Sequence, residues 1–210
     1  MKNLPVLSKR VIWTLVMCMS FLTIFSQEHM TFQGIPIDGS IKLFHKQMKK
    51  HGFKLYLRRE EGNAYRGSYI TNNDMVYVFF SLKSKKVMAV DIVVNPSNMV
   101  NTESWQKVKE NYDYVVNLFS EKYDTAEKNT IAYFEAPYEE GDGNEVEGIR
   151  NGKCHYSTVF NLPQGRIAVG IRSCKYVMFT HAPEDIGKVV PCFYIQIIDY
   201  ANRETRDIQL

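Results

Sequence analysis

Three cysteines beyond residue 26 are the side chains best suited to covalent chemistry: Cys154, Cys174 and Cys192. A cysteine nucleophile reacts as its thiolate and needs a base beside it. Cys154 adjoins His155, but successive strand residues point to opposite faces of a sheet, so these two do not pair. Cys192 with His181 is the remaining candidate for a cysteine hydrolase, and a buried free thiol is the favoured interpretation of Cys192.

The segment from Leu162 to Arg166 predicts how two of these cysteines are placed. Its proline at the second position and glycine at the fourth suit a type I turn followed by a glycine bulge. That three-residue loop places Leu162 opposite Arg166, and the same register places Cys154 opposite Cys174. Directly opposed strand residues lie within disulfide range. The interpretation is either a Cys154–Cys174 disulfide or two small apolar residues that face each other.

Residues 138–148 are rich in oxygen ligands, with five carboxylates and one asparagine among eleven residues. Weak calcium binding is conceivable for such a segment, but the order of ligands departs from a calcium-binding loop. A solvated acidic loop between two strands is the favoured alternative. The five histidines show no paired spacing that indicates zinc, and no phosphate-binding or nucleophile-elbow motif occurs. We therefore predict no catalytic residue, no metal and no cofactor.

Tyrosine is abundant, with 13 in the chain. Tyr56, Tyr65, Tyr69 and Tyr77 fall in the first group of predicted strands. An aromatic row on an exposed sheet face can bind sugar rings or a partner protein, which makes these four the candidate ligand-facing aromatics. The favoured alternative is that they are half-buried sheet residues whose hydroxyls reach water.

The helices and strands that would position these residues are predicted to follow the same order twice along the chain. Apolar residues at helical spacing predict a helix from about Ile41, capped by Asp38 or Ser40 and ended by Gly52. A second helix is predicted between Trp105 and Tyr123. Alternating apolar runs predict strands at 53–58, 64–70, 75–82 and 87–94, and then at 131–136, 154–162, 166–174 and 190–200.

This order predicts an α+β fold. We expect two helix-plus-four-strand antiparallel meander units, with the helices packed on one face of the sheet. The units form a possible pattern repeat over 40–95 and 101–200, without residue-level identity between them. No Pro-rich or low-complexity linker divides the chain, so residues 27–210 are predicted to form a single domain.

The first 26 residues resemble a cleavable secretory signal peptide. Lys2, Lys9 and Arg10 precede an uncharged run over 11–25, and Ser26 supplies a small residue at its end. At about 1.5 Å per residue the run spans roughly 22 Å, less than the hydrocarbon core of a bilayer. A retained membrane anchor is the alternative.

Cleavage after Ser26 changes the charge balance. The chain has 26 basic and 23 acidic residues; three of the basic ones lie in the leader, which leaves 23 of each sign. A mature chain with zero formal charge has no overall field to attract a phosphate backbone. Nucleic acid and anionic lipid surfaces are therefore disfavoured as partners.

The stretch from Glu28 to Ser40, Glu-His-Met-Thr-Phe-Gln-Gly-Ile-Pro-Ile-Asp-Gly-Ser, resembles the mature start of a group of small exported proteins. These proteins are common in Bacteroides-like Gram-negative bacteria and are functionally uncharacterised. The stretches 118–123 and 153–156 are similar to the same group. The resemblance implies a periplasmic or secreted location and carries no activity or catalytic residues with it.

The sequence thus predicts an exported, non-catalytic binding or interaction protein of the cell envelope, whose partner is an envelope protein or a glycan. The alternative is an exported hydrolase, or a secreted inhibitor of one. The two-unit layout is similar to that of certain secreted protease and β-lactamase inhibitors, which is a likeness of fold alone.

Overall fold

The computed structural model describes residues 29–70, 74–94, 102–175 and 189–202. The predicted leader and His181 lie outside these residues. The described chain contains three helices: α1 (Ile41–Lys50), α2 (Thr102–Lys122) and α3 (Glu145–Arg150). Its strands are β1 (Thr31–Phe32), β2 (Ile35–Pro36), β3 (Lys54–Arg58), β4 (Gly62–Gly67), β5 (Asp74–Phe80), β6 (Val87–Val93), β7 (Glu127–Phe134), β8 (Cys154–Leu162), β9 (Gly165–Lys175) and β10 (Val189–Asp199).

The strands form one large antiparallel sheet and one small hairpin. The eight-stranded sheet has the order β3-β4-β5-β6-β10-β9-β8-β7, and β1 pairs with β2 alone. The last strand, β10, lies at the centre, between β6 and β9. The predicted α+β class is confirmed at this level, as helices combined with a large antiparallel sheet.

Helix α1 begins and ends where its sequence indicates. The Ser40 hydroxyl accepts a hydrogen bond from the Leu43 backbone N–H at 3.4 Å, and so caps the first turn. Lys49 and Lys50 in the last turn suit the negative end of the helix dipole. Gly52 follows with a φ of 84°, the left-handed conformation that favours glycine after a helix.

Helix α2 buries one stripe of large side chains against the sheet. Its buried residues recur three, four and seven apart: Val108, Tyr112, Val115, Val116 and Phe119. The Tyr112 hydroxyl lies 2.7 Å from the Thr158 hydroxyl on β8, so this buried polar group has a partner. The stripe therefore fixes both the depth and the rotation of α2.

The two faces of the large sheet carry different clusters. On β10, Phe193, Ile195 and Ile197 belong to the main core, which also contains large buried apolar residues of α1 and α2 and Ile149 of α3. Cys192, on the same strand, belongs to a separate cluster with Ala64, Met75 and Val93. Because successive strand residues point to opposite faces, the two clusters lie on opposite sides of the sheet. We call the side with the main core the first face and the other the second face.

The start of the described chain is tied to its end. The hairpin of β1 and β2 buries Phe32 and Ile37 in the main core. The buried Asp199 carboxylate accepts hydrogen bonds from the Met30 backbone N–H at 2.8 Å and the Ala201 backbone N–H at 2.9 Å. It also lies 3.0 Å from His29 Nδ1. These contacts hold the paired hairpin of β1 and β2 against the end of β10.

The predicted register of β8 and β9 is wrong by one residue. Leu162 pairs with Gly165 and not with Arg166, so the loop is a two-residue turn. Gly165 does not have the positive φ that a glycine bulge requires. An added Cβ at Gly165 would lie 2.1 Å from the Ile198 carbonyl oxygen and 2.5 Å from Met30 Cγ. The glycine is thus needed for close packing, and the sequence pattern alone does not separate this role from a bulge.

Helix α3 overlaps the second half of the 138–148 segment, which the sequence favoured as a solvated acidic loop. Its residues Glu145 and Ile149 are buried, and Gly152 follows it with a φ of 69°. Ile149 belongs to the main core, which anchors this short helix. No helix in the described part of the chain is long and apolar enough to cross a membrane.

Candidate functional site

A groove crosses the centre of the second face. Two adjoining cavities of about 340 and 450 Å³ share Glu61, Phe79 and Asp91 in their linings, so we treat them as one and call it the second-face groove. Most of its lining is apolar. One end is lined by Phe80, Leu82, Met88, Ala89 and Ile198, and the other by Ala64, Tyr77, Val93 and Arg172.

Asp91 lies at the floor of the second-face groove. It is on β6, directly opposite Tyr77 of β5 on one side and Gln196 of β10 on the other. Only 7% of the residue is exposed. Gln196 Nε2 donates a hydrogen bond to Asp91 Oδ1 at 3.0 Å. No described residue donates a hydrogen bond to Oδ2, and its nearest ionic partner is Arg172 Nη2 at 4.0 Å.

The surroundings of Asp91 act on its pKa in two directions. Burial raises the pKa above the ordinary value of 3.8 and is the largest cause. The Gln196 hydrogen bond, and then the guanidinium groups of Arg172 and Arg166, lower the pKa but do not cancel the effect of burial. The negative charge of the carboxyl group at the floor of the groove is therefore only partly compensated by the surrounding protein groups.

Arg172 is held in place by an aromatic ring. Its guanidinium carbon lies 4.5 Å from the centre of the Tyr194 ring, a cation–π contact. Tyr194 pairs with Gly170 across β9 and β10, and an added Cβ at Gly170 would lie 2.6 Å from Tyr194 Cε1. A glycine inside a strand often marks such a close approach, which is the sequence signal that could have located this side of the groove.

The four tyrosines predicted as ligand-facing do not form one row. Tyr77 lines the second-face groove, whereas Tyr56 is exposed in a separate pocket, where the Arg66 guanidinium carbon lies 4.3 Å from the centre of its ring. Tyr65 is 0% exposed and belongs to the main core. Tyr69 is half-buried, with its ring centre 5.3 Å from that of Phe32. Tyr65 is therefore not ligand-facing, because its position in β4 points to the first face.

The hydroxyl of Tyr65 has hydrogen-bond partners although the residue is buried. His45 Nδ1 lies 3.1 Å from it, and Asn63 Nδ2 donates to it at 3.4 Å. Burial, and then the charges of Lys49 and Arg58, lower the pKa of His45. Tyr65 is thus fully buried with protein partners for its hydroxyl, whereas the sequence interpretation was a half-buried residue whose hydroxyl reaches water.

Of the two interpretations of Cys154 and Cys174, the disulfide is absent from the structure. Cys154 is a free, buried cysteine. The ladder of β8 and β9, in which Tyr156 pairs with Ile171, places position 173 opposite Cys154 when it is continued by two residues. Cys154 packs in the main core against Gly148, where an added Cβ would meet its sulfur. The side chain of Cys174 lies outside the described residues.

Cys192 is a free cysteine that is 0% exposed on the second face. It packs with Ala64, Met75 and Val93, and the proposed partner His181 lies outside the described residues. Because the thiol has no exposed surface, it is out of reach of a substrate in solution. This environment agrees with the interpretation of Cys192 as a buried free thiol.

The carboxylates of the acidic segment bind the backbone. Asp142 accepts hydrogen bonds from the backbone N–H groups of Glu139 at 3.0 Å and Asn144 at 2.7 Å, which lower its pKa. The buried Glu145 accepts one from the Gly141 N–H at 2.9 Å. Among the described residues, no three His, Cys, Asp or Glu side chains are grouped to hold a metal.

No family model matches this chain, and no curated protein or solved structure is similar enough to it to count as a match. The function is therefore inferred from the chemistry of the second-face groove.

Proposed function

We propose that the protein is an exported, non-catalytic binding protein of the cell envelope and that the second-face groove is its ligand site. In this proposal the chain consists of two units, each a helix followed by a four-strand meander. Helices from both units pack on the first face, so the second face is the side on which a ligand can dock. Residues 1–26 serve as the export signal.

Asp91 is the observation that carries the proposal. Burial of this carboxyl group costs stability, because the Gln196 hydrogen bond and the nearby guanidinium groups do not cancel the penalty on its charge. An apolar residue of similar size in place of Asp91 would give a more stable sheet. Its two chain neighbours, Val90 and Ile92, are both buried in the main core. Natural proteins tolerate such local costs mainly at functional sites. The free oxygen of Asp91 is then the acceptor for a donor group on the ligand.

The rest of the groove indicates the shape of the ligand. The walls beside Asp91 are aromatic or aliphatic, with Tyr77 and Phe79 nearest to it along β5. Charged side chains, among them Arg59 and Glu61, lie at the rim. A ligand that presents an N–H or O–H donor between apolar surfaces fits this arrangement, as a protein side chain or a glycan does.

Binding is favoured over hydrolysis by the contacts of the candidate reactive groups. Asp91 is engaged by Gln196 and faces Arg172, an arrangement that holds a carboxylate in place. Cys192, the thiol nearest in the sheet, is enclosed in its own apolar cluster. Neither group is placed as a nucleophile with a base at hydrogen-bond distance among the described residues.

The ligand site is tested by capture from the native envelope. A chain that begins at Gln27 is immobilised, and bound proteins and glycans are identified by mass spectrometry. Phe79→Ser removes a wall of the groove, and we expect it to lose the captured species by at least tenfold. Tyr114→Ser, a change at an exposed residue of α2, is the matched control and keeps the capture. Equal capture by both variants, or hydrolysis of the captured species, would contradict the proposal.

The export signal has its own test. The protein is recovered from the periplasm or the medium of the native cell, and its mass and N-terminal sequence are measured. Cleavage between Ser26 and Gln27 is the expected result. A chain that keeps Met1 and stays with the membrane instead supports the retained anchor.

A further inference from the structure

The two edges of the large sheet are protected to different degrees. Edge strand β3 has five residues, and its register with β4 shifts between Leu55 and Leu57, which marks a bulge. It begins with Lys54 and ends with Arg58. Short length, bulges and charges are the usual devices that prevent an edge strand from pairing with another chain. The β3 edge therefore has three of these devices.

Edge strand β7 has fewer of these devices. Its eight residues pair with β8 in one unbroken register from Glu127 to Phe134. It contains no proline, and its only charged residues are the first two, Glu127 and Lys128. In the described part of the chain β7 pairs with β8 alone, so its outer row of backbone N–H and C=O groups faces outward. A long, regular edge of this kind is a template for another strand.

The exposed side chains of β7 are apolar where the pairing would occur. Ile131 is 49% exposed and Tyr133 is 46% exposed. Both point to the second face, because they alternate with Phe134, which packs against the main core. Ala132, between them, is also exposed and has a small side chain. This half of β7 thus presents two large apolar side chains beside an open backbone edge.

The sequence of β7 is complementary to itself. When two copies pair antiparallel about a two-fold axis at Ala132, Ile131 of each copy lies opposite Tyr133 of the other. Pairs of an aromatic and a β-branched residue directly across two strands are stabilising. The same register sets Asn129 opposite Glu135, which joins an amide donor to a carboxylate.

Neighbouring registers are less favourable. An axis at Tyr133 sets Ile131 opposite the Glu135 carboxylate, so the pair of an aromatic and a β-branched residue is lost. An axis at Ile131 sets Glu127 opposite Glu135, and like charges directly opposite each other are destabilising. An axis at Thr130 sets Ile131 opposite Asn129 and leaves Tyr133 opposite Glu127, so no apolar pair forms. If the axis falls between two residues, the residues directly opposite each other have side chains on different faces. Two-fold symmetry about the normal to the sheet keeps each side chain on its own face and therefore does not allow such a register.

We propose that β7 is the interface through which two copies of this chain associate, antiparallel and with the two-fold axis at Ala132. The two sheets then form one continuous sheet, and the four side chains of the Ile131–Tyr133 pairs form one apolar cluster on its second face. An interface made mainly by one strand pair is small, so we expect a dissociation constant on the order of 10 µM. The proposal is independent of the ligand that the second-face groove binds.

The association is tested by sedimentation velocity of the chain that begins at Gln27, over roughly 1 to 200 µM, a range that brackets the expected constant. We expect the wild type to change from monomer to dimer over this range. The Ile131→Lys/Tyr133→Lys double variant is expected to stay monomeric, because lysines on an edge strand oppose pairing. Leu57→Lys, on the other edge strand, is the matched control and dimerises as the wild type does. A wild type that is monomeric at every concentration overturns the proposal, whether or not it captures other chains.

The register is tested by cross-linking. In a Cys174→Ser background, Ala132→Cys places two thiols opposite each other at the axis, where strand separations permit a disulfide. We expect mild oxidation to give a reducible dimer for Ala132→Cys and at least fivefold less for Leu57→Cys. A dimer in which Ala132→Cys links no better than Leu57→Cys overturns the β7 interface.

Discussion

Replacement of Asp199 is expected to release the N-terminal hairpin from the sheet. The carboxylate is fully buried and accepts two backbone hydrogen bonds, from Met30 and Ala201. A hydrogen bond to a charged group contributes roughly 1.5 to 3 kcal/mol. Asp199→Ala removes both bonds and leaves the Met30 N–H buried without its acceptor, so we expect a loss of about 4 kcal/mol. His29 adds little to this figure, because its side chain is partly exposed.

Asp199→Asn is expected to remove one of the two hydrogen bonds and to keep the other. The amide keeps one oxygen, but its NH2 group must face either the Met30 N–H or the Ala201 N–H, which are donors too. One bond is lost and the shape is retained, so a loss of about 2 kcal/mol is expected. The ratio of the stability losses in the alanine and asparagine variants therefore tests whether both carboxylate oxygens of Asp199 act as acceptors.

Urea unfolding at neutral pH measures these changes as shifts in midpoint at constant slope. Limited proteolysis in parallel reports release of the hairpin, which we expect to be cut near Gly34 in Asp199→Ala before the sheet unfolds. Asp113→Asn is the control: Asp113 is half exposed and pairs with Lys109 on α2, so its loss is expected to cost less than about 1 kcal/mol. An Asp199→Ala variant within 1 kcal/mol of wild type would refute the role assigned to this carboxylate.

Three further predictions concern the sheet and its groove. Gly170→Ala is expected to cost about 1 to 3 kcal/mol in urea unfolding, because an added Cβ would lie 2.6 Å from both the Tyr156 carbonyl oxygen and Tyr194 Cε1. Cys154, whose pKa is raised by burial and by Asp142 and Glu145, is expected to resist alkylation in the folded protein and to react once it is unfolded, as measured by intact mass. Asp91→Asn is expected to stabilise the protein relative to wild type near pH 7 and to lose this advantage below about pH 3.

The sign of the Asp91 effect follows from the raised pKa. Below the ordinary value of 3.8 the carboxyl group is protonated in both the folded and the unfolded state, and burial costs the same in wild type and variant. As pH rises through the folded-state pKa, the wild type must bury a charge and loses stability, whereas the asparagine does not. A stability difference that is constant with pH would show that Asp91 is not perturbed by its burial. Alkylation of Cys154 in the native protein as fast as in a denatured one would contradict its place in the core.

Local patterns predicted the elements whose side chains alternate or recur in a regular way. The stripe from Val108 to Phe119 defines α2, and the apolar alternation of the strands defines most of the large sheet. A cap at Asp38 or Ser40 is predicted because a short polar side chain before an apolar helical pattern favours that role, and Ser40 is the one that caps α1. These signals depend on neighbours within one turn or two residues, which a sequence displays directly.

Features that depend on distant contacts were missed. Gly165 looks like a bulge residue until Ile198 and Met30 are placed against it. α3 has six residues, a glycine in its middle and glycines on both sides, so its composition is that of a loop. The second-face groove depends on Asp91 and Arg172 meeting across β6, β10 and β9, which no local pattern records.

The central position of β10 has a consequence for how the chain acquires its structure. This strand follows β6 and β9 in the chain, and each of them has β10 as one of its two neighbours in the sheet. Until it is in place, each of those strands is an open edge rich in valine and isoleucine, the kind of surface that aggregates. A chain that ends before Val189 would therefore leave β6 and β9 as two unpaired apolar edges, and we expect it to aggregate.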